Sequence, residues 1–171
     1  LNINDFYICS LSTETIVYKG MFLAEQLSEF YPDLLDEDFK SKFAIYHQRY
    51  STNTFPTWSL AQPFRVLAHN GEINTLKGNI NWMSAHEPRI THPFFNERIN
   101  DLKPILDSDA SDSASLDGAF ELLVQTDRDL PMAKSMIIPE SWSNRSDMSD
   151  DLKNMYAYCN AVIEPWDGPA A

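Results

Sequence analysis

The chain has 171 residues, of which 43% are hydrophobic and 22% are charged, and its formal net charge at pH 7 is −12. A domain of roughly 150 residues buries about 68–70% of the surface of its unfolded chain, so this length favours one domain with a hydrophobic core. The acidic surface repels phosphate backbones and no cluster of Lys and Arg offsets it, which argues against nucleic-acid binding. No apolar run approaches the ~20 residues that a membrane-spanning helix needs, so no membrane partner is expected.

The cysteines and the start of the chain bear on its cellular setting. Cys9 and Cys159 lie far apart and show no CxxC or Cys/His spacing. This usage is typical of a reducing, intracellular setting, and we expect both thiols to be buried in the core. The sequence begins at Leu1 without an initiator Met and without the basic and hydrophobic regions of a signal peptide. We therefore expect a part of a larger, soluble intracellular protein.

The first half of the chain is predicted to contain the strands. Two β-branched and aromatic runs, at residues 6–11 and 15–18, predict a β-hairpin. Residues 21–30 predict a short helix with its apolar side chains on one face. Apolar runs at residues 43–50 and 64–69 predict two further strands.

The segment between the last two predicted strands, residues 51–63, has the composition of a binding loop. It contains two prolines, several Ser, Thr and Asn residues, and Trp58, which we expect to be exposed. Such a composition favours a functional loop over a plain connector.

The second half of the chain is predicted to be helical. Apolar periodicity predicts helices at residues 75–86 and 113–126 and a third that begins after Ser149 as its cap. Residues 131–135 predict a single helical turn, followed by a short apolar piece at 136–138. Strands first and helices later indicate an α+β fold, and no repeat or linker divides the chain.

Metal and nucleotide sites are not predicted. The four histidines lack HExxH or other paired-ligand spacing and are interpreted as structural. The carboxylate cluster at residues 107–112 opens like a calcium loop, but an EF-hand requires Gly at the position of Asp112 and Glu at the position of Gly118. No GxGxxG or GxxxxGK[ST] loop is present to bind phosphates.

Three polar features remain: Arg49, the pair Asn70-Gly71, and Asp112. A guanidinium binds a carboxylate through two parallel hydrogen bonds, a carboxylate binds an ammonium group, and an Asn amide with a Gly N–H binds an oxyanion. Together they would hold a free amino acid and stabilise charge on its side-chain carbonyl, as in a glutamine amidase that lacks its nucleophile. Two simpler interpretations stay open. Asn70-Gly71 could be a type I′ hairpin turn, which is the commonest use of that dipeptide, and Asp112 could be a favourable charge at a helix N-terminus.

Three stretches of the sequence carry a specific resemblance. Residues 47–79 (HQRYSTNTFPTWSLAQPFRVLAHNGEINTLKGN), 111–117 (SDSASLD) and 164–171 (EPWDGPAA) resemble the class II glutamine amidotransferase domain of the large chain of glutamate synthases. The resemblance extends from residue 6 (FYICSLSTETIVYKGM) over essentially the whole chain. It implies an N-terminal nucleophile hydrolase fold, an αββα sandwich of two antiparallel sheets between helical layers. Residues 1–171 would be the C-terminal part of that domain.

The resemblance also implies residue roles. Arg49 would bind the glutamine carboxylate, Asn70 and Gly71 would form the oxyanion hole, and Asp112 would hold the substrate ammonium. Thr52 would add a contact near the carboxylate. No metal site is implied in this segment.

The nucleophile of the family is an N-terminal cysteine that uses its own α-amino group as the base. Residue 1 here is Leu, and neither Cys9 nor Cys159 has a free amine. We therefore expect the nucleophile to lie upstream and this chain alone to be inactive.

The resemblance implies an activity for the whole enzyme. Glutamine is hydrolysed to glutamate, and the ammonia passes to 2-oxoglutarate to make a second glutamate. FMN and a 3Fe-4S cluster would lie outside this segment, with reduced ferredoxin, or NAD(P)H and FAD on a small reductase subunit, as the electron source. The setting would be the cytoplasm, or the plastid of a photosynthetic eukaryote. Two alternatives stay open: a non-catalytic amino-acid-binding module, and an amidotransferase with another ammonia acceptor.

Overall fold

The computed structural model describes residues 6–50 and 54–169. The described residues form the following α-helices: α1 (Leu27–Phe30), α2 (Leu76–His86), α3 (Asp112–Gln125), α4 (Leu130–Ile137) and α5 (Asp150–Val162). Short 3₁₀ helices lie at Ala24–Gln26, Pro32–Leu35, Trp58–Leu60, Glu87–Arg89 and Asn96–Leu102. The longer helices therefore all follow residue 75, as the sequence predicts.

Side-chain caps fix where the later helices begin. The Ser111 hydroxyl accepts a hydrogen bond from the Ala114 N–H at the start of α3, and the Ser149 hydroxyl accepts one from Leu152 at the start of α5. The predicted helices at 75–86 and 113–126 and the cap at Ser149 are confirmed to within a residue. The prediction for residues 131–138 is wrong in part, because the Asp129 carboxylate caps one continuous helix, α4, where a single turn and a separate apolar piece were expected.

The hydrophobic core lies among α2 to α5. Helix α4 packs against both α3 and α5, and the side chains of Ala119, Ala133 and Ile137 are fully buried there. Cys159 is buried in the same cluster as predicted, and its burial raises the pKa of the thiol. Cys9 is only partly buried and lies outside this cluster, so the expectation of a second core thiol is wrong.

The strands predicted in the first half are not formed in the described residues. Residues 6–18, 43–50 and 64–69 contain no regular strand, and the isolated β-bridge recorded there joins Tyr50 to Ala61. A strand is stable only when its backbone groups pair with a neighbour and one face is buried. In residues 6–18 and 43–50 the apolar side chains remain largely exposed: Phe6, Ile8, Leu11, Ile16, Phe43, Ile45 and Tyr46. In residues 64–69 Phe64 is buried, but the N–H groups of residues 65–67 donate to the Asp117 carboxylate and not to a neighbouring strand.

The helix predicted at residues 21–30 is also shorter than expected. It consists of the 3₁₀ turn Ala24–Gln26 followed by the single turn of α1. The predicted apolar face (Leu23, Leu27 and Phe30) is exposed, so no packing energy extends the helix. Among the described residues, no helix combines the length and apolar character needed to cross a membrane.

Candidate functional site

Arg49 and Asn70 line the same open cavity, although 20 residues separate them in the sequence. The cavity has a volume of about 540 Å³, and its other lining residues are Tyr46, His47 and Gln48. Both Arg49 and Asn70 are solvent-exposed, so a cation and an amide are available to a small polar molecule. Thr52 lies outside the described residues.

Backbone hydrogen bonds fix the position of Arg49. Its N–H donates to Nδ1 of His47 at 3.1 Å, and its carbonyl accepts from the N–H of Gln62 at 3.3 Å. The adjacent bridge between Tyr50 and Ala61 continues this antiparallel pairing. The 61–62 segment therefore fixes the backbone of Arg49 at the cavity that this residue lines.

Asn70 and Gly71 do not form the type I′ turn that their sequence also allowed. That turn needs positive φ at both central residues. Among the described residues only Asn96 and Asp127 have positive φ, so neither Asn70 nor Gly71 does. Asn70 follows His69, whose backbone is held on both sides by one amide: the His69 N–H donates to Oε1 of Gln62, and Nε2 of Gln62 donates to the His69 carbonyl, each at 2.8 Å. The Asn-Gly pair is thus exposed at the edge of a fixed segment.

Asp112 lies beside the segment that follows Asn70-Gly71. Its Oδ2 accepts the N–H of Ile73 at 2.8 Å, while its Oδ1 accepts from the N–H of Ser113 at 2.6 Å. Ser111, and not Asp112, supplies the cap of α3. The carboxylate is therefore more than a favourable charge at a helix N-terminus, because it fixes residue 73 to α3.

Asp117, one turn further along α3, anchors the loop that leads to Asn70. Its buried carboxylate accepts three backbone N–H groups, from Val66 at 2.9 Å, Leu67 at 3.1 Å and Arg65 at 3.2 Å. Burial raises the pKa of Asp117, and the three backbone hydrogen bonds oppose that rise because they favour the charged form. The helix thus holds the approach to the candidate oxyanion hole from one side.

The end of the described chain holds residues 72–74, which follow the Asn70-Gly71 pair. The N–H of Glu72 donates to the carbonyl of Pro169 at 2.9 Å, and that of Asn74 donates to Asp167 at 2.8 Å. A Cβ at Gly168 would lie 1.8 Å from the carbonyl oxygen of Glu72, so only glycine permits this approach. The Glu-Pro-Trp-Asp-Gly motif therefore closes over residues 72–74.

Sequence reasoning missed the residues that hold the site together. Gln62, His69 and Asp117 were not singled out as partners of Arg49, Asn70 or Asp112. Gln62 lies within the quoted AQPF stretch, His69 within HNGEINT and Asp117 within SLD. Their presence in those motifs was the available signal, but their hydrogen-bond partners lie 7 to 52 residues away.

The comparison with known families identifies the class of protein. The sequence model for "Glutamine amidotransferases class-II" matches residues 2–171. The chain belongs to the class II glutamine amidotransferases.

Within this family, the chain is similar to glutamate synthases. The chain is 64% identical over 169 residues to the glutamate synthase [NADPH] large chain of Azospirillum brasilense and 52% identical over 167 residues to that of Bacillus subtilis. It is 48% identical over 170 residues to a chloroplastic ferredoxin-dependent glutamate synthase of Arabidopsis thaliana. These matches cover 98–99% of this chain but only 10–11% of each relative.

Proposed function

We propose that this chain is the glutamine-binding and oxyanion-hole part of the glutaminase domain of a glutamate synthase. The observation that supports this best is that Arg49 and Asn70 line one cavity. In the proposal, Arg49 binds the α-carboxylate of glutamine through a bidentate pair, and Asp112 binds the α-ammonium group. Thr52 contributes near the carboxylate.

The chemistry at the other end of the substrate requires an oxyanion hole. When a nucleophile attacks the side-chain carbonyl of glutamine, its oxygen becomes negatively charged. The amide of Asn70 and the N–H of Gly71 stabilise that charge, and ammonia leaves. Glutamate is then released by hydrolysis. In the whole enzyme the ammonia would condense with 2-oxoglutarate with loss of water, and two electrons from NADPH or reduced ferredoxin would complete its reduction to a second glutamate.

In this proposal the nucleophile comes from a part of the polypeptide outside this chain. The Cys159 side chain is buried in the core and does not line the cavity, and burial raises the pKa of its thiol. Cys9 is only partly buried but does not line the cavity of Arg49 and Asn70. The family's N-terminal cysteine, with its free amine, would supply the attack.

We also propose that the αββα sandwich forms when this chain is joined to the rest of the domain. The many exposed apolar side chains of residues 6–18 and 43–46 support this, because a sheet of the intact domain would cover such side chains. Residues 43–50 and 64–69 would then become strands of the two sheets.

In this proposal other parts of the polypeptide carry out the redox chemistry. No group of three or more His, Cys, Asp or Glu side chains in the described residues is arranged to hold a metal ion, and the two cysteines lie apart. The residues present do not fit a 3Fe-4S cluster, and the sequence has no Gly-rich loop for the FMN phosphate. The relatives named above use NADPH or ferredoxin, and either donor, in the cytoplasm or a plastid, is compatible with this segment.

Two other functions give different experimental results. A non-catalytic amino-acid-binding module would keep the pocket but lack an upstream cysteine at the mature N-terminus. An amidotransferase with a sugar phosphate or phosphoribosyl pyrophosphate as acceptor would release ammonia but would not aminate 2-oxoglutarate. The names of the relatives favour the glutamate synthase.

Glutamine hydrolysis by the full-length protein tests the proposal. We expect the full-length protein to release glutamate and ammonia from L-glutamine, and the 171-residue chain alone to release neither. Hydrolysis by the short chain would place the nucleophile among its own residues. Glutamine binding without turnover by the full-length protein would favour the binding module and contradict the glutaminase.

A further inference from the structure

A continuous chain of hydrogen bonds joins the candidate ligand-binding residues through side chains that do not line the cavity. It runs from the Arg49 backbone to Gln62, from Gln62 to His69, from His69 to Ser113, and from Ser113 to Asp112. The three intermediate residues are each at least 92% buried. They cannot act by contacting a ligand in the open cavity, so any effect on binding or turnover must be exerted through their neighbours.

Gln62 connects the two halves of the cavity. Its backbone N–H donates to the Arg49 carbonyl, while its side-chain amide both accepts from and donates to the backbone of His69. A single residue thus sets the distance between the segment of Arg49 and the segment of Asn70. Because both amide atoms are used, neither a carboxylate nor an apolar side chain of the same size can replace it.

The ring of His69 continues the connection to α3. Its Nδ1 lies 2.7 Å from Oγ of Ser113, and the Ser113 hydroxyl lies 3.2 Å from Oδ1 of Asp112. A carboxylate only accepts hydrogen bonds, so the hydroxyl donates to Asp112 and its oxygen accepts from a protonated Nδ1. Nε2 of His69 is buried and has no partner among the described residues. Among the described residues, the hydrogen bond to Ser113 is therefore the only one that the His69 ring makes.

We propose that Gln62, His69 and Ser113 are positioning residues that fix Arg49, Asn70 and Asp112 relative to one another. This inference rests on the proposed function, because it assigns those three residues to one glutamine molecule. A displacement of about 1 Å at an oxyanion donor or a carboxylate clamp lowers the rate by up to ~10²-fold. Loss of the connection therefore impairs the use of glutamine even though no contact with glutamine is removed.

Two buried serines on α3 provide a matched test. Ser113 and Ser115 are both buried, but the Ser113 hydroxyl bonds to His69 while the Ser115 hydroxyl has no partner among the described residues. In the full-length protein we expect Ser113→Ala to lower kcat/KM for glutamine about tenfold or more, because it removes the hydrogen bonds of the hydroxyl to both His69 and Asp112. Ser115→Ala should stay within about twofold of the unmodified protein, since it lies outside the connected chain. Equal kcat/KM values for the two variants would overturn the inference.

A second pair of variants covers the case in which Ser113→Ala does not fold. In His69→Asn the side-chain amide nitrogen occupies a position close to that of Nδ1 and can still donate to Ser113, whereas in His69→Gln it lies further from the backbone. We expect His69→Asn to retain more of the kcat/KM for glutamine than His69→Gln. The reverse order would contradict the role given to Nδ1.

These experiments distinguish an error in the proposed function from an error in the positioning role. If the unmodified full-length protein does not hydrolyse glutamine, the proposed function is wrong and the positioning role falls with it. If the protein is active and its Arg49 and Asn70 variants are impaired, but Ser113→Ala matches Ser115→Ala, only the positioning role is wrong. Thermal inactivation of both serine variants separates a general loss of stability, which both would show, from the specific loss expected for Ser113→Ala.

Discussion

Replacing Asn70 by alanine in the full-length protein is expected to lower kcat for glutamine hydrolysis by ~10²–10³-fold, the loss seen when one oxyanion-hole donor is removed. KM for glutamine should change little, because the neutral carbonyl of bound glutamine needs the amide far less than the oxyanion does. Steady-state kinetics of glutamate release measures both constants.

Asn144→Ala is the control for the Asn70 variant, since Asn144 is also exposed but does not line the cavity. Its kcat and KM should equal those of the unmodified protein. A variant at Asn70 that loses binding and turnover in equal proportion would show that this residue holds the substrate and does not stabilise developing charge.

Replacing Arg49 by lysine is expected to raise KM for glutamine about 10- to 100-fold. Lysine keeps the positive charge but cannot form two parallel hydrogen bonds to a carboxylate. Loss of one charge-assisted hydrogen bond costs roughly 1.5–3 kcal/mol, which corresponds to about that change in KM. We expect a smaller change in kcat, because the reacting carbonyl lies at the other end of glutamine.

Arg98→Lys is the control for the Arg49 variant. Arg98 forms an exposed ion pair with Asp101 at 2.9 Å, and exposed pairs of this kind contribute little to stability. An unchanged KM in Arg49→Lys together with an unchanged KM in Arg98→Lys would show that the guanidinium of Arg49 does not bind the carboxylate.

Helices in this chain could be predicted from the sequence because their determinants are local. Ser111 and Ser149 cap the helices that follow them, and apolar residues recur within a few positions. Helix α4 was only partly predicted, since its apolar residues continue through Met136 and Ile137 beyond the predicted turn. Buried contacts with α3 and α5, which sequence periodicity does not display, support that extension.

The strands could not be predicted reliably, because a strand depends on a partner that is distant in the sequence. Residues 43–50 have the composition of a strand, yet in the described chain they pair with a neighbour only at their end, where Arg49 and Tyr50 meet the 61–62 segment. Aromatic and β-branched composition indicates only that a segment fits a half-buried sheet surface. It does not supply the second strand.

Two of the predicted site residues, Arg49 and Asn70, lie at one cavity in the structure, while the buried residues that support them were not predicted. Arg49 and Asn70 stand out in the sequence because an arginine at the end of an apolar run and an Asn-Gly pair suggest chemistry; their roles remain a proposal. Gln62 and His69 do not stand out, because a glutamine and a histidine have many structural uses. Their significance arises from hydrogen bonds across 7 and 44 residues of sequence, which become visible only in the fold.

A crystal structure of the full-length protein with the product L-glutamate bound would test the proposed glutamine site directly. We expect the α-carboxylate to lie against the guanidinium of Arg49 and the α-ammonium group to contact the carboxylate of Asp112. The side-chain carboxylate should lie within hydrogen-bonding distance of the Asn70 amide and the Gly71 N–H. Glutamate bound in another place, or bound here with its α-carboxylate away from Arg49, would show that these residues do not form the glutamine site.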